Sequence, residues 1–291
     1  MNEMRIGAKL PVFGPIVHEI PLGDAARRAE EAGFDSVWVS DHIVMMDRTE
    51  SPYPYSDDGT ITWDATEPRL DAVVAMAVAC ATTNRVDVGV AILPATLRNP
   101  LILAKQLASL DTISGGRVVV GTGAGWLAEE FEAAGVAFEG RGRRLDEWID
   151  ILRDVWTGSP EAHSYEHFEM QPGLLSYPTP VREMPILIGG MSKAAIRRAG
   201  RRGQGWLAFQ RASHLDIPAI EEGLALMHDE AKDGGRFAPH AVVRLTGSLD
   251  DAAAAVPRLA AVGVTEVIVE VDWERADGPE RTLEQMRTSA S

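Results

Sequence analysis

Short runs of apolar residues alternate with longer segments whose apolar positions recur at helical spacing, from one end of the chain to the other. The first run, Arg5 to Leu10, predicts a strand that Pro11 and Gly14 end. Pro21 to Ala32 predicts a helix, with Asp24 in its first turn and Gly33 as its natural stop. Ser36 to Ser40 is the second strand, Leu70 to Thr82 the next helix, and Val86 to Leu93 the third strand. Asn99-Pro100 opens a helix that Gly115-Gly116 closes, because asparagine caps well and proline suits the first helical position. Arg117 to Val120 is the fourth strand. Arg143 to Trp156 is a helix with Leu145, Trp148, Ile149, Leu152 and Trp156 on one face. Pro185–Ile188, Gly205–Phe209, Ala241–Thr246 and Thr265–Val271 then predict strands. Lys193–Ala199, Ile217–Ala231, Asp251–Ala261 and Glu280–Thr288 predict the helices that follow them.

Strand runs of nearly continuous Val, Ile and Leu suit parallel strands covered on both faces. Eight such strand–helix pairs predict an α/β fold, a closed (β/α)8 TIM barrel over residues 1–291 as one domain. An open doubly wound sheet is the runner-up, but Pro11 to Pro15 lacks the glycine pattern that fold needs after its first strand. Two stretches exceed a minimal barrel. Met45–Pro68, after strand 2, holds Tyr53, Tyr55 and Trp63; as a strand-to-helix connection it belongs at the active face. Gly158–Glu183, between helix 4 and strand 5, holds His163, Tyr165, His167, Phe168 and Tyr177.

Charge narrows the partners. With 43 acidic and 28 basic side chains the chain carries a formal net charge of −15, which repels nucleic-acid phosphate and anionic lipid. The single cysteine, Cys80, excludes an internal disulfide and reads as a small buried hydrophobe in the apolar run Val73–Ala81. That run is far short of the roughly 20 residues of a membrane span. Met1 to Arg5 leads into a strand without a basic and apolar leader, so a cytoplasmic protein is expected.

Candidate chemistry sits at strand ends. Asp41-His42 follows strand 2, where histidine can exchange protons near neutral pH and a neighbouring carboxylate can orient it. A polar dipeptide capping the strand is the plainer reading. Gly121-Thr122-Gly123-Ala124-Gly125-Trp126 follows strand 4; its glycines would let backbone approach a flat or phosphorylated ligand, or simply make a tight turn. Gly189-Gly190-Met191-Ser192 precedes a helix whose free N–H groups, with the serine hydroxyl and Lys193, would hold an anion. Ser192 would cap that helix in either case. Arg197, Arg198, Arg201 and Arg202 lie toward the helix C-terminus and read as a solvated face. No metal site is expected: the histidines lack a helical metal spacing, and His163 with His167 lies among helix breakers.

Taken in order, Ser36–His42, Arg98-Asn99-Pro100, Gly121–Trp126 with Glu130-Phe131, Arg141–Asp146 and Ile188-Gly189-Gly190 resemble the bacterial luciferase-like oxidoreductases, especially the coenzyme F420-dependent branch. The resemblance runs from Met4 to Val271. It implies a homodimeric barrel enzyme with the deazaflavin F420, or alternatively FMN, at its mouth. Catalytic roles would fall to His42 and Asp41. The cofactor would be held by Val90, Ala91, Thr122, Gly123, Gly125, Trp126, Gly189, Gly190, Met191 and Ser192, with a non-proline cis peptide at Val90–Ala91.

The sugar-phosphate dehydrogenases of that branch carry a tryptophan four residues after the histidine and a glutamate after Gly-Thr-Gly. Here those positions are Met46 and Ala124, so the expected glutamate proton donor is missing. This argues against glucose-6-phosphate oxidation and for a small hydrophobic substrate such as an enone, imine or alcohol. The expected reaction is hydride transfer between deazaflavin and substrate. The alternative is a monooxygenase using reduced flavin and O2, and a non-redox isomerase or aldolase ranks last because catalytic lysines are few.

Overall fold

The computed structural model describes residues 4–56, 58–61, 63–232 and 240–290. Met1 to Glu3 at the start, and Asp57 and Thr62 in the first insertion, lie outside them. In chain order the elements begin with β1 (Arg5–Lys9), α1 (Ile16–Glu19), α2 (Leu22–Ala32), β2 (Ser36–Val39), α3 (Ala72–Thr82) and β3 (Asp87–Leu93). There follow α4 (Pro100–Ser114), β4 (Val118–Thr122), α5 (Ala128–Ala133), α6 (Arg141–Trp156) and the short hairpin strands β5 (His163–Ser164) and β6 (Glu169–Met170). The chain continues with β7 (Ile186–Gly189), α7 (Lys193–Arg202), β8 (Gly205–Arg211) and α8 (Ile217–Lys232). It ends with β9 (His240–Thr246), α9 (Leu249–Ala261), β10 (Glu266–Glu270) and α10 (Gly278–Ala290). Parallel pairing in the order β1-β2-β3-β4-β7-β8-β9-β10 closes back on β1, so the eight-stranded TIM barrel is observed.

Side chains alternate across each strand, which separates two cores. Val37 and Val39 pack outward with the helices, whereas Trp38 joins Ala91, Val119, Leu187, Leu207, Val242 and Ile268 inside the barrel. Glycine is required where the indole lies: a methyl group at Gly7 or Gly89 would overlap Trp38. Beneath it Trp38 Nε1 donates to Glu266 Oε1 at 2.9 Å, and Ser36 Oγ donates to the same carboxylate. Burial pushes the Glu266 carboxyl up, while Arg5 and these donors pull it back. This polar cluster lies at the N-terminal ends of the strands, away from the active face.

Cys80 is buried on α3, as its apolar setting implies, and burial pushes its thiol up to about 11. Since the thiolate is the reactive form, a disulfide reagent should leave the folded protein unlabelled and label one thiol after unfolding. Stoichiometric labelling of native protein would contradict this placement.

The second insertion runs outside the barrel. Lys105 on α4 donates to the Tyr177 carbonyl, Asp111 accepts the Val181 N–H at 2.7 Å, and Tyr177–Pro178 is cis. His163 stands on β5 and His167 in the turn after it, where Glu147 of α6 accepts from the His167 ring at 2.9 Å. The four arginines of α7 are more than a solvated face. Arg198 reaches Asp146 at 2.6 Å and Arg202 pairs with Asp150, both on α6, while Arg197 and Arg201 reach Glu230 on α8 at 3.1 and 2.5 Å. They lace three neighbouring helices together.

Candidate active site

His42 leaves β2 at the barrel mouth and is held there by a residue of another element. Glu130 sits on the one-and-a-half-turn helix α5, only 2% exposed, with Oε2 at 3.1 Å from His42 Nδ1. Its Oε1 accepts the Ile43 N–H at 2.6 Å, which fixes the carboxylate against the same stretch of chain. An ionised carboxylate only accepts, so Nδ1 carries the hydrogen and Nε2 is left as the acceptor. Trp126 packs edge-on against the His42 ring at 5.9 Å between centroids and against Tyr53 at 5.3 Å.

Two readings are corrected here. A carboxylate is present at the site although Ala124 is not one, because α5 brings Glu130 from six residues further along. Asp41 does not orient His42. Its carboxylate is fully buried and meets Arg98 twice, at 2.6 and 3.0 Å, while accepting the Ala72 N–H at 3.1 Å. Burial pushes Asp41 up and Arg98 opposes it. Arg98 also holds Asp71, the N-cap of α3. Asp41 thus ties the end of β2 to the start of α3 and to the segment after β3.

The third strand shifts register between Val90 and Leu93, as a bulge. The cis peptide is Ala91–Ile92, one bond later than the Val90–Ala91 expected from the family pattern. Val90 points outward into the helix layer, whereas Ala91 faces the barrel interior. The Ile92 side chain fills the space that Gly123 and Gly189 leave open, since a methyl group at either would press on it. Gly125 has φ +81 and Phe131 lies where its side chain would be, so it serves the turn. Thr122 is buried, its hydroxyl donating to the Leu93 carbonyl at 2.8 Å. Of the positions in this glycine-rich segment, Trp126 faces the site with His42.

Ser192 caps α7, its Oγ accepting the Ala195 N–H at 3.2 Å, and Gly190 has φ +121 in the turn before it. Beside this turn an open cleft of about 260 Å³ is lined by Met191, Phe209, Arg211, His214, Pro54 and Tyr55. The first insertion forms its roof. Tyr55 stacks on Phe209 at 4.3 Å, Tyr53 meets Trp63 edge-on at 4.7 Å, and Trp63 in turn meets Phe13 at 6.1 Å. Glu129 accepts the Ser51 N–H at 3.0 Å and Arg211 donates to the Tyr55 carbonyl at 2.9 Å, so the insertion is anchored from α5 and from β8.

Below that roof lie charges that the strand pattern hid. Lys9, the last residue of β1, is 5% exposed and pairs in register with Glu270 of β10. Arg244 of β9 reaches Glu270 at 3.4 Å and the Ala91 carbonyl at 3.5 Å, and its Nε is buried without a partner among the described residues. In the sequence each stands inside an apolar strand run, where a charged residue reads as an edge or an end. Only period-two alternation around a closed barrel puts them together on the inside.

A closed βα barrel carrying a carboxylate-held histidine under an aromatic roof, at the C-terminal ends of its strands, defines a barrel enzyme. The chain belongs to the luciferase-like monooxygenase family, whose model matches residues 21–288. An uncharacterised protein of Mycobacterium tuberculosis is 34% identical to it over 250 residues, 86% of this chain and 83% of that one. The F420-dependent glucose-6-phosphate dehydrogenase of Amycolatopsis mediterranei is 29% identical over 244 residues, 80% of this chain and 67% of that enzyme. A solved F420-dependent secondary alcohol dehydrogenase, in complex with an F420–acetone adduct, superposes with a TM-score of 0.72 at 18% identity over 99% of each chain. The resemblance carried by the strand-end motifs is thereby confirmed at the level of family and fold.

Proposed function

We propose that this protein is an F420-dependent oxidoreductase acting on a small organic substrate with an apolar body. The observation that carries the reading is His42 held by Glu130 and faced by Trp126 at the barrel mouth. The F420-dependent enzymes among its relatives and structural neighbours support the choice of cofactor. The residues present fit a deazaflavin. Ala91 and Ile92, the latter packed over Gly123 and Gly189, offer an apolar platform, Trp126 and Tyr53 an aromatic wall, and Met191 to Lys193 at the start of α7 backbone N–H groups for a phosphate, the Gly190 N–H being spent on the Leu207 carbonyl. The N–H groups matter because a phosphate must be held against the field of a chain of net charge −15. When bound, the deazaflavin supplies hydride transfer; His42 exchanges a proton through Nε2, and the aromatic roof excludes water.

Met46 and Ala124 support an apolar substrate rather than a sugar phosphate. In the same reading the chain pairs with a second copy; the exposed side chains of Val74 on α3 and of Ile102 and Ile113 on α4 support it. A second reading, a monooxygenase using reduced FMN and O2, is favoured by the name of the matching family. Titration of the purified protein with F420 and with FMN, followed by fluorescence quenching, separates the two. Saturable binding of F420 at micromolar concentration is expected. FMN binding with no response to F420, and O2 uptake with reduced FMN, would replace the first reading by the second.

A further inference from the structure

Lys9 is a buried amine whose only side-chain hydrogen-bond partner among the described residues is the Leu10 carbonyl at 3.3 Å. A lysine ammonium has three donors, and leaving them unpaired away from water is costly. Arg244, two strands away, is likewise incompletely met: Glu270 touches it at 3.4 Å and the Ala91 carbonyl at 3.5 Å, and its Nε has no partner among the described residues. Glu270 is half exposed at 48%, so it offsets the two cations only partly. The charged groups facing Lys9 are Arg244 on β9 and Glu270 on β10, and Tyr53 and Tyr55 of the roof face Arg244. Arg244 also lies 5.9 Å from the ring of Phe209, which lines the cleft and carries Tyr55. Two under-satisfied cations therefore lie beneath an apolar, aromatic cover, at the end of the barrel that carries His42.

We propose that Lys9 and Arg244 form an anion subsite on the barrel floor that takes the carboxylate of a small organic acid with an apolar body. Calling that acid a substrate rests on the oxidoreductase reading above; the subsite itself does not. The carboxylate would fill the free donors of both cations, while Phe209 and the tyrosine roof cover its apolar part. Burial, with Arg244 adding to it, pushes the Lys9 amine down to about 7. The Lys9 amine is then largely neutral in mildly alkaline solution when no anion is bound, and Arg244 is the standing cation. An arriving carboxylate favours the ammonium, so Lys9 takes one proton from the buffer as the complex forms.

The test uses the full chain without added cofactor, benzoate as the probe and neutral benzamide as its isostere, by calorimetry at about pH 8 in HEPES and in Tris. At that pH Lys9, held at about 7, is mostly unprotonated. The expected result is benzoate binding at least about tenfold tighter than benzamide. The difference in heat between the two buffers should report uptake approaching one proton. Lys9→Met should abolish the uptake and weaken benzoate binding, and Arg244→Gln should weaken binding and reduce the uptake without abolishing it, because burial still lowers Lys9 after its cationic neighbour is gone. The wild-type comparison needs no variant to fold. Equal affinity for benzoate and benzamide, no binding of either, or proton uptake that survives Lys9→Met would overturn the subsite. F420 binding together with any of those results would leave the oxidoreductase reading standing, and benzoate selectivity without F420 binding would do the reverse.

Discussion

His42→Ala should lower kcat by roughly 10²- to 10⁴-fold, the usual contribution of a positioned acid or base, while leaving F420 affinity within a few fold. Glu130 governs this role. Its carboxylate accepts from Nδ1 and from the Ile43 N–H, so it sets both the tautomer and the place of the ring. Glu130→Gln keeps the shape, and its amide oxygen can still accept from Ile43. Its NH2 group then faces Nδ1 as a donor and forces the hydrogen onto Nε2, the wrong tautomer for accepting a proton. A loss comparable to that of His42→Ala is therefore expected. Because the two residues act as one unit, the double variant should be no slower than His42→Ala alone. Glu130→Ala differs, since it empties the buried place of the carboxylate and removes the acceptor of the Ile43 N–H, and should also cost about 1–3 kcal/mol of stability. Steady-state kinetics on the single and double variants, with denaturation curves for each, separate these cases. Additive losses in kcat would show that Glu130 does not work through His42.

The barrel was legible because its strands announce themselves locally: near-continuous aliphatic runs between capped helices admit few other arrangements. His42 and Trp126 were legible for the same reason, as each follows a readable strand. Glu130 falls inside the family pattern, yet nothing in the sequence points it at the site, because α5 is a short helix without a strong period or side-chain cap. Lys9 and Arg244 were invisible for a different reason. Their meaning depends on which strands are neighbours in the closed ring and which residues point inward, and register is a property of the whole barrel. The glycines mislead in the opposite direction. Gly123 and Gly189 look like contacts for a ligand, but much of the room they leave is taken by Ile92. The cis bond likewise falls one residue later than the family resemblance implies, within the bulge of β3.

Asp41→Ala should be the most destabilising change near the mouth, by about 3–5 kcal/mol, because it leaves a largely buried guanidinium without its bidentate partner. Arg98 would keep Asp71 at 2.5 Å, but Asp71 is half exposed and already spends its other oxygen capping α3. The Ala72 N–H would also lose its acceptor, so the start of α3 and the end of β2 would loosen together. Asp41→Asn should cost less, since an amide oxygen can still accept from Ala72 or from one arm of Arg98. Urea denaturation followed by circular dichroism would show the midpoint falling with little change in slope if the native state alone is affected. The contrast with His42 is what makes this informative. A residue that acted on the cofactor or substrate would lose turnover at full stability. Asp41, bound to Arg98 and to the first turn of α3, should lose stability first, and any loss of turnover should disappear once the variant is assayed well below its unfolding temperature. Asp41→Asn with an unchanged midpoint and a collapsed kcat would return Asp41 to the catalytic role that its sequence position suggests.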